Sequence, residues 1–388
     1  MRKILAILVD RANYGRMKPV LTSLNNDPEI ELEVLCTGTM LLQRFGGVVD
    51  IVESDGFNVS SRVYMEIEGS NPTTMSKSIG LGIVQFSTEF ERIAPDFILM
   101  IGDRYEALAA SISAAYMNLP IAHIQGGEVS GSIDESCRHA ITKFSHLHFP
   151  STARSAEYIA RMGEEESSIF NVGCPAGDYI LSLPNDLTNE DIRGGIGRPI
   201  DLSKPYLLVI FHPVTTHENP RDEAEEILYA LDHIGMQTIW LWPNVDAGSD
   251  RISSAIRSFR ENNDADWLYL VKNFTPEVFQ KILKNAACAV GNSSSFIRDS
   301  TFSGVPVVLV GDRQVGRERG ANLVEAEIDS SSIILHVQNQ IEHGHYDECQ
   351  VYGKGNASQQ ITEILKTFKP NIQKTLSYAM EAQQACQE

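Results

Sequence analysis

The stretch "DFILMIGDRYEALAASISAAYMNLPIAHIQGG", from Asp96 to Gly127, decides the fold class. It contains two short apolar runs that each end in glycine and polar residues, with an alanine-rich helical pattern between them. A strand, a helix and a second strand in that order indicate a βα unit of a parallel sheet with helices on both faces. The same alternation recurs along the chain, so we expect an α/β protein built from such units.

The alternation stops at one point and then restarts. The stretch 182–205 is rich in Pro, Gly, Asp and Asn, as linkers and domain edges are, and apolar strands resume with "YLLVIFHP". We therefore predict two Rossmann-like, doubly wound domains at 1–180 and 181–365, and a helical tail at 366–388 that packs on the first domain. Parallel sheets bind ligands beyond the carboxyl ends of their strands, so the predicted site is the cleft between the domains.

Composition excludes several classes of function. The 388 residues carry a net charge of -19, which argues against nucleic acid or an anionic membrane as partner. Apolar runs stay far below the roughly 20 residues of a membrane span, and "KILAILV" is predicted to be a core strand, not a signal peptide. The six cysteines form no C-x-x-C pair, which is typical of reduced thiols in a cytoplasmic protein. Without H-E-x-x-H, Walker A or G-x-G-x-x-G motifs, we expect no metal and no cofactor.

Charged side chains follow the apolar strands of the first half. Arg11 comes directly after the first strand, where its planar guanidinium suits a phosphate group, although a surface arginine in a turn is the plainer interpretation. Asp103 and Arg104 follow the strand that ends near Ile101. Asp103 suits either a catalytic carboxylate or the cap of the next helix.

The densest group of ionisable residues lies between Ala122 and Phe149. Acids near a helix start suit the helix dipole, but one cap needs only one acid, so we predict a functional role for this stretch as a unit. Two further histidines, His146 and His148, are predicted to be structural. The candidates are Gln125, Glu128, Asp134, Glu135, Arg138 and His139.

The second half repeats this arrangement. His212 ends a strand, and Asn244 and Asp246 lie in the turn "WPNVDAGSD". In "VGNSSSFIRDS" a strand is followed by small hydroxyl residues and a helix start, which together favour an anion cradle, although a plain serine cap has the same pattern. A basic group follows the next strand and favours a diphosphate ligand. These candidates are Asn292, Ser293, Ser294, Ser295, Arg313, Arg317 and Arg319.

These motifs resemble one family. "DRANYG", "IGDRYEALA", "GGEVSGSIDESCRHAITKFSH", "GNSSSFIRDS" and "GDRQVGRERG" are similar to segments of the hydrolysing UDP-N-acetylglucosamine 2-epimerases, and the similarity covers nearly the whole chain. The resemblance implies two Rossmann-like domains in the GT-B arrangement, with the sugar on the first and the nucleotide on the second. It also implies a cytoplasmic homodimer or homotetramer that converts UDP-N-acetylglucosamine and water into N-acetylmannosamine and UDP, through 2-acetamidoglucal.

The resemblance also implies roles for individual residues. Ser293, Ser294, Arg313 and Arg11 would contact the diphosphate, and Asp299 would bind the ribose where the family has a glutamate. Proton transfer would fall to Asp103, Asp134 or His212, and less to Glu128 or Glu135. Gln125 departs from the family, which often has glutamate there, so it is either a specificity contact or a tolerated substitution.

Three alternatives remain at this stage. Relatives in the family act on GDP-linked sugars or on UDP-linked diacetamido sugars of the legionaminic acid pathway. A GT-B glycosyltransferase shares the fold but would need an acceptor site. A nucleotide-sugar sensor without catalytic activity is favoured only by Gln125.

Overall fold

The computed structural model describes residues 1–69, 71–214, 216–243 and 246–379, which contain two six-stranded sheets with parallel strands. This confirms the predicted α/β class with two doubly wound units. The strands of the first sheet are β1 (Arg2–Leu8), β2 (Ile30–Thr37), β3 (Val59–Val63), β4 (Phe97–Ile101), β5 (Ile121–Ile124) and β6 (Leu147–Phe149). The helices of this half are α1 (Arg11–Asn25), α2 (Val48–Ser54), α3 (Pro72–Ile93), α4 (Tyr105–Tyr116), α5 (Ile133–Phe144), α6 (Ala153–Arg161) and α7 (Ala176–Ile180).

The second sheet has the same arrangement. Its strands are β7 (Leu207–Ile210), β8 (Thr238–Leu241), β9 (Leu268–Val271), β10 (Cys288–Gly291), β11 (Val307–Val310) and β12 (Leu323–Ala326). The remaining helices are α8 (Pro220–Ile234), α9 (Ser249–Asn262), α10 (Pro276–Asn285), α11 (Ser295–Arg298), α12 (Ser330–His343) and α13 (Ala357–Thr367). Four short 3-10 segments lie at Gly38–Leu41, Gln43–Phe45, Glu166–Ser168 and Asp299–Phe302.

Strand β1 shows why each sheet is covered on both faces. Its side chains alternate between two apolar cores, with Ile4 and Ala6 in one and Leu5 and Ile7 in the other. A strand that buries both faces reads as a continuous apolar run, which is the pattern "KILAILV" shows in the sequence.

The order of the strands positions the site. The first sheet runs β3-β2-β1-β4-β5-β6, and the second runs β12-β11-β10-β7-β8-β9. The direction of winding reverses between β1 and β4 and between β10 and β7, and a crevice opens beyond the carboxyl ends of strands at such a reversal. The candidates Arg11, Asp103, His212 and Ser293 follow these four strands directly.

The chain passes from the first domain to the second and later returns to the first, and the cores show where each passage lies. Val172 lies in a core of the first sheet, whereas Cys174 and Ile180 already lie in a core of the second. Helix α13 packs on the first domain, where Thr362 Oγ1 donates to Ser23 Oγ at 2.8 Å. We propose that the second domain begins near Cys174 and ends before α13, instead of spanning 181–365.

A few elements differ from the sequence-based expectations. The stretch "SIFNVG" forms no strand, only one bridge between Ile169 and His148. The edge strands β3 and β12 were not predicted, because "VSSRV" and "LVEA" contain polar and charged residues. Within the described ranges, no helix is both long and apolar enough to cross a membrane.

Candidate functional site

A cleft of about 420 Å³ lies between the two domains. Its walls include residues from the ends of the strands in both sheets, as the positions of the motifs predict. Ten of the sequence candidates line it: Arg11, Asp103, Arg104, Asp134, His212, Ser293, Ser294, Ser295, Asp299 and Arg313.

Asp103 lies just beyond β4, after Gly102, which has a φ of 84°. This left-handed backbone suits glycine, and it turns the chain at the end of the strand. Arg138, on α5, donates to Asp103 Oδ2, and Arg317 lies 3.6 Å from the same oxygen. Burial by itself raises the pKa of Asp103, but Arg138 and Arg317 outweigh it and hold the pKa well below its usual range. Asp103 is therefore a carboxylate at neutral pH.

Asp134 lies in the first turn of α5. Ser132 Oγ donates to Asp134 Oδ2 at 3.0 Å, and Arg313 Nη2 lies 3.3 Å from that oxygen. Burial raises the pKa of Asp134, and the negative charge of Asp103 raises it further. The two acids of one cleft thus differ in proton affinity, which is the condition for dividing acid and base roles between them.

Arg104 joins the domains beside these acids. Its Nη1 donates to Asp246 Oδ1 at 2.5 Å, and its Nη2 lies 3.2 Å from Glu106 Oε1. Asp246 Oδ2 is also 3.7 Å from Arg313. Asp246 therefore connects a cation of each domain at the edge of the cleft.

His212 follows β7, and Asn292 holds its backbone in place. The His212 amide donates to Asn292 Oδ1, and Asn292 Nδ2 donates to the His212 carbonyl, both at 2.8 Å. Burial, and then the charge of Arg313, lowers the pKa of His212 to about 3. The imidazole is therefore neutral at physiological pH.

The serine segment and Arg313 form the wall of the second domain. Ser293, Ser294 and Ser295 all line the cleft, and Ser293 Oγ accepts from the amide of Ser295 at 3.3 Å. Arg313 Nη1 donates to the Asn292 carbonyl at 3.5 Å, which keeps the guanidinium beside the serines. Hydroxyl donors next to a cation suit the oxygens of a diphosphate.

Asp299 is buried at the end of this wall. Gln280 Nε2 donates to Asp299 Oδ2 at 2.8 Å, and Oδ1 has no hydrogen-bond partner among the described residues. Burial raises the pKa of Asp299. An acceptor without a partner on a cleft wall is suited to a ligand hydroxyl.

Several predicted site residues do not line the cleft. Gln125 is buried with a φ of 64°, and its Nε2 donates to Cys174 Sγ at 3.2 Å, so its amide faces the protein interior. Glu128 forms ion pairs with Arg298 and Arg317, and Glu135 accepts from the amide of Ser130. None of these three residues is among those that line the cleft, so their direct part in catalysis stays a prediction.

The other predicted residues have supporting positions or lie outside the described ranges. Arg138 is buried behind Asp103, and His139 lies 3.7 Å from Glu135. Arg319 is half exposed and pairs with Glu325. Asn244 lies outside the described residues.

Sequence reasoning missed several residues of the cleft wall. Arg16, on α1, is buried there, and its Nε has no hydrogen-bond partner among the described residues. In the sequence, the one feature that could have pointed to Arg16 is its position five residues after Arg11. The apolar part of the wall comes from several separate elements, so no motif marks it; it includes Leu241, Trp242, Phe274 and Phe279.

No metal site is evident in the described part of the chain, since it contains no group of three or more His, Cys, Asp or Glu residues placed to hold an ion.

Comparisons with known proteins agree with this architecture. A UDP-N,N'-diacetylbacillosamine 2-epimerase (hydrolyzing) of Legionella pneumophila is 33% identical over 369 residues, which cover 95% of this chain and 96% of the relative. A UDP-N-acetylglucosamine 2-epimerase of Neisseria meningitidis is 29% identical over 383 residues, 96% of this chain and 98% of the relative. The crystal structure of UDP-GlcNAc 2-epimerase from Neisseria meningitidis bound to UDP-GlcNAc shares the fold, with a TM-score of 0.76 at 17% identity over 94% of this chain and 99% of that one.

The match to the family itself is extensive. Residues 22–366 fit the family described as UDP-N-acetylglucosamine 2-epimerase. That range includes both sheets from β2 onward and all the acidic candidates of the cleft. The chain therefore belongs to the UDP-N-acetylglucosamine 2-epimerase family.

Proposed function

We propose that the protein is a hydrolysing 2-epimerase that converts UDP-N-acetylglucosamine and water into N-acetylmannosamine and UDP. The observation that carries the proposal is the pair Asp103 and Asp134, two acids of opposite pKa shift that line one cleft. They face a wall of serines and arginine that suits a diphosphate.

The first step is an elimination. The bond between C1 and the diphosphate oxygen breaks, and UDP leaves toward Arg313, Arg11 and the serines, whose charge and hydroxyl groups stabilise it. As positive charge develops at C1, the proton on C2 becomes acidic enough for Asp103, a weak base, to remove it. The product is 2-acetamidoglucal, and Asp103 is left protonated.

The second step is a hydration with inversion at C2. Asp134, whose pKa is raised by burial and by the charge of Asp103, takes up a proton more readily than Asp103 and delivers it to the other face of C2. The hydroxyl of water joins C1, and the water's remaining proton returns to Asp134. Asp103 then releases its proton to solvent, so that the sum is nucleotide sugar plus water giving free N-acetylmannosamine, UDP and one proton.

A second substrate is favoured by specific relatives. The Legionella relative and a Campylobacter jejuni relative, 30% identical over 331 residues, are named for UDP-N,N'-diacetylbacillosamine, the latter with GDP as well. The elimination needs only a 2-acetamido group and a diphosphate leaving group, and the diacetamido sugar has both. We propose it as the alternative substrate.

Incubation of the protein with each nucleotide sugar in D₂O, followed by NMR, tests the proposal. Release of UDP together with a free manno sugar that carries one deuterium at C2 supports the epimerase. Transfer of the sugar to an acceptor would indicate a glycosyltransferase, and binding without turnover would indicate a sensor. The ratio of kcat/KM for the two sugars decides between the substrates.

We further propose a cytoplasmic homodimer or homotetramer. The cytoplasmic assignment rests on the five described cysteines, which are all free thiols. The oligomer rests on the family resemblance, and light scattering in solution tests it.

A further inference from the structure

The three arginines of "GDRQVGRERG" have different environments. The sequence groups them as one basic cluster for a phosphate. In the structure Arg313 lines the cleft and Arg319 is half exposed, whereas the Arg317 side chain is only 3% exposed and does not line the cleft. Arg317 is therefore not part of the wall that would hold the diphosphate.

Arg317 instead reaches into the first domain. Its Nη1 donates to Glu128 Oε2, and its Nη2 lies 3.6 Å from Asp103 Oδ2. Glu128 also pairs with Arg298, whose Nη2 is 2.6 Å from Glu128 Oε2. Two arginines of the second domain thus hold one carboxylate of the first, and Arg317 extends beyond it to Asp103.

The backbones around these side chains are in close contact. The amide of Gly131 donates to the Arg313 carbonyl at 3.1 Å. A Cβ at Gly131 would meet the Asp312 carbonyl oxygen at 2.2 Å, and one at Gly316 would lie 3.0 Å from Val129 Cγ2. The segments 128–131 and 312–317 therefore pack closely, without room for a side chain at Gly131, and this contact brings Arg317 near Asp103.

Both arginines near Asp103 approach the same oxygen. Arg138, of the first domain, donates to Oδ2, and Arg317 is nearest to Oδ2 as well. Occupying one oxygen fixes the rotation of the carboxylate, and Oδ1 is then the oxygen available to a substrate in the cleft. Arg138 belongs to the same domain as Asp103, whereas Arg317 reaches Asp103 from the second domain.

We propose that Arg317 is a positioning residue that crosses the domain boundary, is held by Glu128, and fixes the Asp103 carboxylate for proton removal. This inference rests on the proposed function. It links the second domain, which would bind the nucleotide, to the orientation of the base in the first.

Arg317→Met tests the inference, with Arg319→Met as the matched control on the same segment. We expect kcat of Arg317→Met to fall by up to about a hundredfold, the size of effect that misplacing a reacting group produces. UDP affinity, measured by calorimetry, should change little, since Arg317 does not line the cleft. Arg319→Met should match the wild type in both respects.

The acidic limb of the pH profile separates positioning from a merely structural role. Removing Arg317 raises the pKa of Asp103, so the acidic limb of kcat should move to higher pH, and Arg317→Lys, which keeps the charge, should restore it. The same shift should appear in the Asp103 carboxyl resonance by ¹³C NMR, which needs no turnover and is assigned with Asp103→Asn. The titratable and charged groups that face Asp103 are Arg138, Arg298, Arg317, His123, Asp134 and Cys137.

Two results would overturn the inference. One is an unchanged kcat and an unchanged Asp103 pKa in Arg317→Met. The other is a loss of UDP affinity of about tenfold or more with kcat preserved, since phosphate contacts have effects of that size. If Arg317→Met does not fold, Arg317→Lys and Glu128→Gln replace it, and Glu128→Gln must then also move the NMR titration of Asp103. An inactive wild type refutes the proposed epimerase function, while the NMR titration still decides the role of Arg317.

Discussion

Asp134→Asn separates the two halves of the proposed reaction. The amide keeps the size of the side chain and can still accept from Ser132 Oγ, which is 3.0 Å away in the native protein. It cannot deliver a proton to C2. Because a general acid contributes about 10²–10⁴-fold, we expect formation of N-acetylmannosamine to slow by that factor, or about 2.7–5.5 kcal/mol in activation free energy.

The first step should survive in this variant, since Asp103 still removes the C2 proton. UDP and 2-acetamidoglucal should therefore accumulate without the manno sugar, which proton NMR detects directly. UDP affinity should stay within a few fold of the wild type or increase, because Arg313 Nη2, now 3.3 Å from the Asp134 carboxylate, is freed for phosphate.

The control is Glu135→Gln, which alters the neighbouring acid. Glu135 accepts from the Ser130 amide and does not line the cleft, so its loss should cost less than about tenfold in rate. If Asp134→Asn slows the reaction by less than about tenfold, or if it forms the manno sugar with no glycal, Asp134 is not the acid and the division of roles proposed above is wrong.

Three further predictions follow from named contacts. Arg313→Ala should weaken UDP binding by about 1.5–3 kcal/mol, roughly 10- to 150-fold, and by less at high salt. Calorimetry at two ionic strengths measures this loss. An unchanged affinity would mean that Arg313 has only a structural role. Gln125→Glu should leave the preference among nucleotide sugars unchanged, because the side chain faces Cys174 and not the cleft. It should lower the thermal midpoint of unfolding, because it buries a carboxyl group. A changed ratio of kcat/KM between the sugars would restore the hypothesis that Gln125 sets specificity. Burial opposes a low pKa for Glu128, but Arg298 and Arg317 bring it from 4.5 to about 2, so Glu128 stabilises the protein above about pH 4.5 and loses this effect as the pH falls toward 2. Thermal unfolding of Glu128→Gln should therefore depend less on pH over that window than unfolding of the wild type, and parallel curves would contradict the assignment.

The sequence by itself determined the architecture and the location of the site. Continuous apolar runs such as "FILMI" predict strands buried on both faces, and the helices between them require parallel pairing. Parallel strands end at a common edge, so residues that directly follow different strands, such as Asp103 and Arg11, meet in one cleft although they are far apart in sequence. This follows from local periodicity alone, and it needs no knowledge of distant contacts.

Only the tertiary structure decided which acids line that cleft. Asp134 and Glu128 lie in one polar stretch, and nothing in their spacing separates them. Glu128 is withdrawn from the cleft by Arg298 and Arg317, which lie about 170 and 190 positions later in the chain. The pairing of buried charges depends on how the two domains pack against each other. The local sequence around Glu128 does not show which distant arginines will lie beside it.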